Sequence, residues 1–473
     1  MWERGSNAGR SRLDRRTSYQ TAGYLRGGIS LKDEDICQFV LDLCRNEGAT
    51  DAVVMVMKNE EKMIRFSNNQ ITVVKNLDET SASIFVQIKE KKVGINVYDL
   101  SKTKLKAAVK KAVATAARSQ PSDVYAPLPK GPFKYDDRLM KQAGISLDMD
   151  ILVGNVKEAI DAALKEGGNR IAGSLVGRNA HVTIMTSGDV FARANKSTLE
   201  LSVRAFANEH ASGHSLSIAA KPEDFNPESA GAEAGSLAKL SMNPIQGNPG
   251  EFTAILGPLV FADLASQVGR FASAFYVDAG ISFLGDKIGD TVASEIVSIS
   301  DDPSVAGTYG AFPFDAEGMP TRRTPIIEKG VLRNYLHNST TAKKFNTEST
   351  ANAGLIVPRP FNLIVEQGNS NIEKMISSID TGLYLTNDWY LRYQNYKTGD
   401  FSTIPRDAMF LIRKGEIDKA VRELRISDNI LRILKNVREL SRERKWVKWW
   451  EVDIPTLTPA ALVESVRFTK STD

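Results

Sequence analysis

From Asp51 to Val97 the chain passes through successive strand-like segments with no gap long enough for a crossover helix, and that alone restricts what it can fold into. Parallel neighbours need a connection of a dozen or more residues, whereas antiparallel ones close through short turns. Segments 51–58, 63–75 and 81–88 are rich in Val, Ile, Met and Phe and are broken at Lys58-Asn59-Glu60-Glu61 and at 76–79; 93–97 is a candidate fourth. The predicted unit is an antiparallel meander. An amphipathic helix precedes it, opened by the capping-box-like Ser30-Leu31-Lys32-Asp33, with Ile36, Phe39, Val40, Leu43 and Cys44 on one face and a stop at Gly48. A second helix opens at Ser101, with Leu105, Ala108, Val109, Ala112, Val113 and Ala116 as its buried stripe. Consecutive strands flanked by helices give an α+β fold class.

Further along, Pro121, Pro127, Pro129 and Pro132 mark a semi-extended strap over 120–137, and a third helix is predicted over 148–166, ahead of Gly167-Gly168. Alternating runs at 182–186, 190–194 and 198–208 follow, with Ser187-Gly188-Asp189 as a turn, and then a small-residue helix over 228–241. An apolar strand at 252–258 leads into a helix starting at Pro258, a first-turn position that suits proline. From about Gly280 to Gly415 the pattern is short strands and turns, apart from a short helix after Asn371, and a last helix is expected over 429–444. The expected division is a disordered basic tail (1–28), the first part of an N-terminal α+β domain (29–120), a strap, helix and strands joining the halves (121–245), and a β-rich C-terminal domain (246–473).

Charge matters through its location. Residues 1–28 hold six arginines, no lysine and only Glu3 and Asp14, so this tail carries a surplus equal to the formal net charge of +4 of the 473-residue chain. The remainder is electroneutral. A nucleic-acid binder needs a basic face to displace counterions from phosphates, so nucleic acid is not an expected partner. No apolar run reaches the ~18 residues of a membrane span, and the N-terminus lacks the apolar stretch of a secretory signal, so a cytoplasmic protein without a membrane partner is expected. Cys37 and Cys44, the two cysteines, lie seven apart on one helical face and read as buried thiols, which rules out a disulfide scaffold.

Residues able to carry chemistry are sparse. Of the four histidines (181, 210, 214, 337), His210 and His214 have the i, i+4 spacing that puts two imidazoles on one helical face, but the preceding Leu201-Ser202-Val203-Arg204-Ala205-Phe206 alternates as a strand does. Four strand residues span about 13 Å at ~3.3 Å each, too far for one ion, so a loop or strand-end position is expected instead. No nucleophile elbow, phosphate-binding loop or dinucleotide fingerprint occurs. The block Asp315-Ala316-Glu317-Gly318-Met319-Pro320-Thr321-Arg322-Arg323 reads as a turn leading into a hairpin closed at Lys329-Gly330; alternatively Asp315, Glu317 and Arg322, with His337 beyond them, line a substrate channel or interface. In Arg442-Glu443-Arg444-Lys445-Trp446-Val447-Lys448-Trp449-Trp450, a helix end followed by a strand that buries alternate Trp is favoured over stacking on a nucleic-acid strand.

That block, together with Arg65-Phe66-Ser67-Asn68-Asn69, Lys397-Thr398-Gly399-Asp400-Phe401-Ser402 and Phe410-Leu411-Ile412-Arg413-Lys414-Gly415-Glu416, resembles the TldD/PmbA family, also called modulator of DNA gyrase, from about Ile29 to Phe468. The resemblance implies an N-terminal α+β domain, a β-rich C-terminal domain, and proteolysis of unfolded or small peptides by a TldD–TldE heterodimer. It further implies that a catalytic TldD-type subunit holds zinc through a His-Glu-x-x-x-His helix and a C-terminal Cys, the Glu taking a proton from zinc-bound water. Here Ala262 stands at the first His position, Asp263 at the Glu and Gln267 at the second His, and no Cys follows Cys44. The chain thus resembles the TldE/PmbA type, a non-catalytic partner without a catalytic residue, metal ligand or cofactor of its own, with zinc in the TldD-like subunit and an extended peptide held along strand edges. A solvated or interface role is expected for the helix face at 263 and 267. The alternatives are a stand-alone metallopeptidase with an unconventional site at His210, His214 or Asp263, a regulator of DNA gyrase or another topoisomerase, and a homodimer in place of the heterodimer.

Overall fold

The computed structural model describes residues 32–142 and 144–471. The expected tail over 1–28 and the Ser30 cap lie outside the described residues. Strand β1 (Asp51–Ser67) pairs with β2 (Gln70–Ile88), and β3 (Lys91–Val97) follows; after two long helices and a single-turn one at Asp137–Met140, β4 (Arg170–Thr186), β5 (Phe191–Asn208) and β6 (Ala211–Ala219) complete a six-stranded antiparallel sheet in the order β3-β2-β1-β4-β5-β6. The expected breaks near 59–61 and 76–79 are absent. Those polar stretches are paired along their length, Glu60 facing Asp78 on one side and Asn179 on the other, so their backbone groups are satisfied in the ladder. Arg178 meets Glu61 at 2.6 Å above it. The turn falls instead at Asn68-Asn69, both left-handed (φ 51° and 64°), the two-residue geometry that matches strand twist.

Alternation along these strands decides the architecture. Val54, Val56, Ile64 and Phe66 of β1 and Leu199, Leu201, Val203 and Ala205 of β5 face helices α1 (Asp33–Asn46), α2 (Lys102–Arg118), α3 (Met149–Glu166) and α4 (Pro227–Leu240). The opposite face, with Val53, Val182, Ile184, Ala192 and Ala194, packs on Phe312, Phe314, Leu355 and Ile356 of the C-terminal half. With both faces covered, β6 is buried at every position. Cys37 and Cys44 of α1 are buried free thiols, both pushed up to about 12 by burial.

The small residues of α4 have a geometric purpose. A Cβ on Gly231 would stand 2.1 Å from the Ala159 carbonyl oxygen of α3, and one on Gly235 would stand 2.3 Å from that of Ala163. Because the obstacle is backbone, the helices would have to separate. Gly231→Ala is expected to destabilise by about 1–3 kcal/mol, read as a lower urea midpoint; an unchanged midpoint would contradict this packing.

The C-terminal half is a mixed sheet system around α5 (Pro258–Phe271), whose preceding strand Gly250–Leu256 lies between Thr381–Leu385, parallel, and Thr456–Lys470, antiparallel. Two elements differ from expectation here. The helix expected over 429–444 is Ile430–Lys435 only, followed by strand Val437–Val447. Register irregularities between Val437 and Glu439 and between Leu440 and Arg444 let apolar residues three apart in sequence be buried from a strand, which imitates a helical period. A short helix, Ser339–Lys344, also appears where only strands and turns were expected. The hairpin at Lys329-Gly330 forms as expected, with those residues at φ 47° and 78°, while the turn expected at Glu317-Gly318-Met319-Pro320 sits slightly earlier, centred on Ala316-Glu317 and closed by the Gly318 N–H on the Asp315 carbonyl oxygen, with Gly318 at φ 79°.

Candidate functional site

Helix α5 is fixed by Gly257, where a Cβ would meet the Leu385 carbonyl oxygen at 2.8 Å, and by Pro258 in its first turn. Its expected solvated or interface face is buried instead, because the Trp449 segment and the 388–403 hairpin cover the side away from the core. Ala262 packs with Leu216, Leu259, Val447 and Trp449, Asp263 is fully buried and Gln267 is 8% exposed.

The Asp263 carboxylate accepts from Gln267 Nε2 at 3.0 Å, and Gln267 Oε1 accepts from the Tyr393 hydroxyl at 3.3 Å. Its other neighbour is the fully buried Asp388, which accepts from Thr403 Oγ1 at 3.0 Å. Asp263 Oδ2 and Asp388 Oδ1 find no donor among the described residues. Burial first, then repulsion from Glu451, pushes Asp263 up to about 7 against the hydrogen bonds from Gln267 and Asp388, and burial with the charges of Asp263 and Glu451 raises Asp388 well above its usual range. The site is a pair of buried acids whose neutral forms burial favours. A cavity of about 460 Å³ opens beside it, lined by Gln267, Arg270, Arg392, Tyr393, Trp450 and Glu451 among others.

This donor set does not fit zinc. Ala262 offers no donor atom, the Gln267 amide is engaged at both ends, and among the described residues no group of three His, Cys, Asp or Glu side chains is arranged to hold a metal ion.

The structure does bring Asp315, Glu317, Arg322 and His337 into one neighbourhood, where three are buried. Asp315 accepts from the backbone N–H groups of Glu317, Met319 and Ala353 at 2.9–3.0 Å, and Glu317 accepts from Ser339 Oγ at 2.6 Å and from its backbone N–H. Arg322 donates to the Ser349 carbonyl oxygen, and Ser349 Oγ to that of His337. Burial and the neighbouring Glu317 raise Asp315 to about 8, burial raises Glu317, and burial lowers His337 to about 4. These groups tie the 315–319 turn to the 337–353 segment, and Tyr135 from the strap joins them by donating to the Gly318 carbonyl oxygen at 2.7 Å.

His210 and His214 are kept apart in environment, and His214 is not at a strand end. His210 sits in the β5–β6 turn with an exposed ring, while His214 is mid-strand on the face turned toward the C-terminal half. Its Nδ1 lies 3.3 Å from Asn387 Nδ2, a donor, so Nε2 carries the hydrogen toward Ser202 Oγ at 2.9 Å. Burial holds it neutral, down to about 4. Its ring packs at a tilt against Trp449 (4.5 Å between centroids) and Trp389 (5.9 Å). Of the tryptophans in the 442–450 cluster, Trp449 is buried and Trp450 is 61% exposed.

Beside His214 is a centre that the sequence did not announce. Asp407 is fully buried and accepts from Arg204 Nε (2.7 Å), Ser212 Oγ, Asn387 Nδ2 (2.7 Å) and Trp389 Nε1 (2.9 Å). Burial opposes its charge, but Arg204, with the hydrogen bonds from Ser212 and Asn387, outweighs it and holds the carboxyl below its usual range. The polar run Thr386-Asn387-Asp388 after an apolar strand is the one sequence signal for this centre and for the acid pair.

Residues 52–117 match the model of PmbA/TldA metallopeptidase domain 1, and residues 249–470 match that of the PmbA/TldA metallopeptidase C-terminal domain. A PmbA metalloprotease homologue of Haemophilus influenzae is 27% identical over 84% of this chain and 89% of its own. Metalloprotease MJ0996 of Methanocaldococcus jannaschii is 31% identical over 41% of this chain; the match spans 44% of that relative's length, and the other first relatives are likewise matched over less than half of theirs. In structure, TldE of Thermococcus kodakarensis superposes with a TM-score of 0.78 at 20% identity over 92% of this chain and all of its own. A candidate DNA gyrase modulator from Thermotoga maritima gives 0.79 at 24% over 93% of this chain and all of its own. Two domain models matched in order, over well over half the sequence and within a shared fold, show that the chain belongs to the TldD/PmbA family.

Proposed function

We propose that this chain is a TldE/PmbA-like, non-catalytic subunit that pairs in the cytoplasm with a TldD-type zinc peptidase acting on unfolded or small peptides. The observation that carries this reading is the acid pair: where a zinc peptidase needs ligands, Asp263 lies buried against Asp388 and Gln267 closes the gap. A buried carboxyl engaged by Gln267 and Asp388 has no lone pair aimed at solvent. The similarity of fold to an archaeal TldE supports the subunit type. Zinc in this reading belongs to the partner.

The test is reconstitution with the His-Glu-x-x-x-His homologue from the same genome. The chain alone is expected to bind less than stoichiometric zinc and to leave an unstructured peptide intact. Mixing is expected to give a heterodimer by light scattering and to raise peptide cleavage at least about tenfold over the partner alone. Stoichiometric zinc with turnover by this chain alone would overturn the proposal. So would a chain that binds DNA gyrase while leaving the homologue's activity unchanged.

A further inference from the structure

A second cavity, of about 470 Å³, lies between β5 of the N-terminal sheet and the C-terminal half, beside the last turn of α5. Lys196, Arg270, Arg359 and Lys448 converge on it, and Asp453 is the one carboxylate in its lining. Asp453 is taken up by Arg270 at 2.7 Å, which leaves Arg270 Nε buried without an acceptor. Lys448 reaches Glu200, behind the wall, at 3.4 Å; Glu200 also accepts from the Tyr309 hydroxyl and faces Arg178 at 4.0 Å. Lys196, half-buried on β5, and Arg359, exposed on the 357–361 loop, have no ion pair among the described residues. Burial, then Arg359 and Lys448, push the Lys196 ammonium down to about 8, the response of a cation crowded by others without a counter-charge.

Like charges in a partly desolvated cleft call for a compensating anion, and among the described residues none is paired with these two. The rest of the wall is apolar and rigid: Tyr276, Phe361, Ile454 and prolines at 358, 360 and 455. A free phosphate would use the cations and leave this surface uncovered. A carboxylate carried on an apolar chain end would use both. The volume is that of a small-ligand site and takes two or three residues. We propose that this cavity is a receptor for the C-terminal carboxylate of a peptide, with Arg359 and Lys196 as its charge partners and the Tyr276–Phe361 wall receiving the terminal apolar side chain.

The inference rests on the reading of this chain as part of a peptide-degrading complex, but its test uses the full chain alone. Calorimetry with the tripeptide Ala-Leu-Phe as the free acid and as the C-terminal amide is expected to show the acid binding about tenfold more tightly, a difference that shrinks with added salt. Arg359→Gln and Lys196→Gln are each expected to weaken binding of the acid by about tenfold and leave the amide unchanged. Equal binding of acid and amide, binding of neither, or displacement of the acid by inorganic phosphate at equal affinity would overturn the proposal. The acid–amide comparison on the unmodified chain needs no variant to fold. Acid preference without stimulation of a TldD-like homologue counts against the partner reading alone, and stimulation without acid preference counts against this cavity alone.

Discussion

Asp407→Ala is expected to lower the stability of the chain by roughly 3–5 kcal/mol, the cost of removing one member of a buried, hydrogen-bonded charge pair. The substitution strands Arg204 and leaves Ser212, Asn387 and the Trp389 indole N–H without their shared acceptor. These groups come from β5, β6 and the 386–389 segment, so the loss falls on the contact between the two halves. A lower denaturant midpoint together with new protease cleavage between the halves is the expected reading. Asp407→Asn separates charge from shape. Because the native carboxyl titrates below its usual 3.8, its contribution is present above that value and fades as the pH falls through the lower, native one. Wild type should therefore lose stability below about pH 4 by an increment that Asp407→Asn lacks. Identical acid profiles would show that the charge is not what holds the contact.

Asp263→Asn is expected to act in the opposite sense. The native carboxyl, raised from 3.8 to about 7, favours folding fully below 3.8, and this advantage is lost as the pH rises from there through about 7, where ionising it costs burial and repulsion from Glu451. An Asn amide can still donate to Asp388 and never ionises. Below pH 3.8 the variant should match wild type, and at pH 8 it should be the more stable by on the order of 2–4 kcal/mol, the gap opening between about pH 4 and 7 where wild type loses stability and the variant does not. Parallel profiles for the two proteins would refute a neutral acid pair at this site. The same variant leaves the proposed carboxylate receptor intact, since Asp263 lines no part of that cavity.

Local chemistry made much of the fold legible. The α1 stripe, the meander after it, the small-residue helix α4 and the Pro258 start of α5 all follow from short-range periodicity and turn residues, and all are present. Errors arose where pairing overrides local preference. Asn59-Glu60-Glu61 looks like a turn until β2 and β4 supply its hydrogen bonds, and Val437–Leu440 looks helical until bulges bury a three-residue spacing from a strand.

For the site, the sequence by itself determined what is missing: Ala262 has no donor, Gln267 replaces an imidazole, and no cysteine follows Cys44. It could not determine what occupies the place, because Asp263 and Asp388 are 125 positions apart, and only the packing of α5 beneath the 388–403 hairpin puts two carboxyl groups in contact away from water. Arg204 and Asp407 likewise meet only across the two halves, as do Lys196 and Arg359. Periodicity fixes which face of an element is buried. Which charge then lies opposite is set by tertiary packing, and the low dielectric at that contact turns ordinary side chains into a neutral acid pair, a held anion or a cationic cleft.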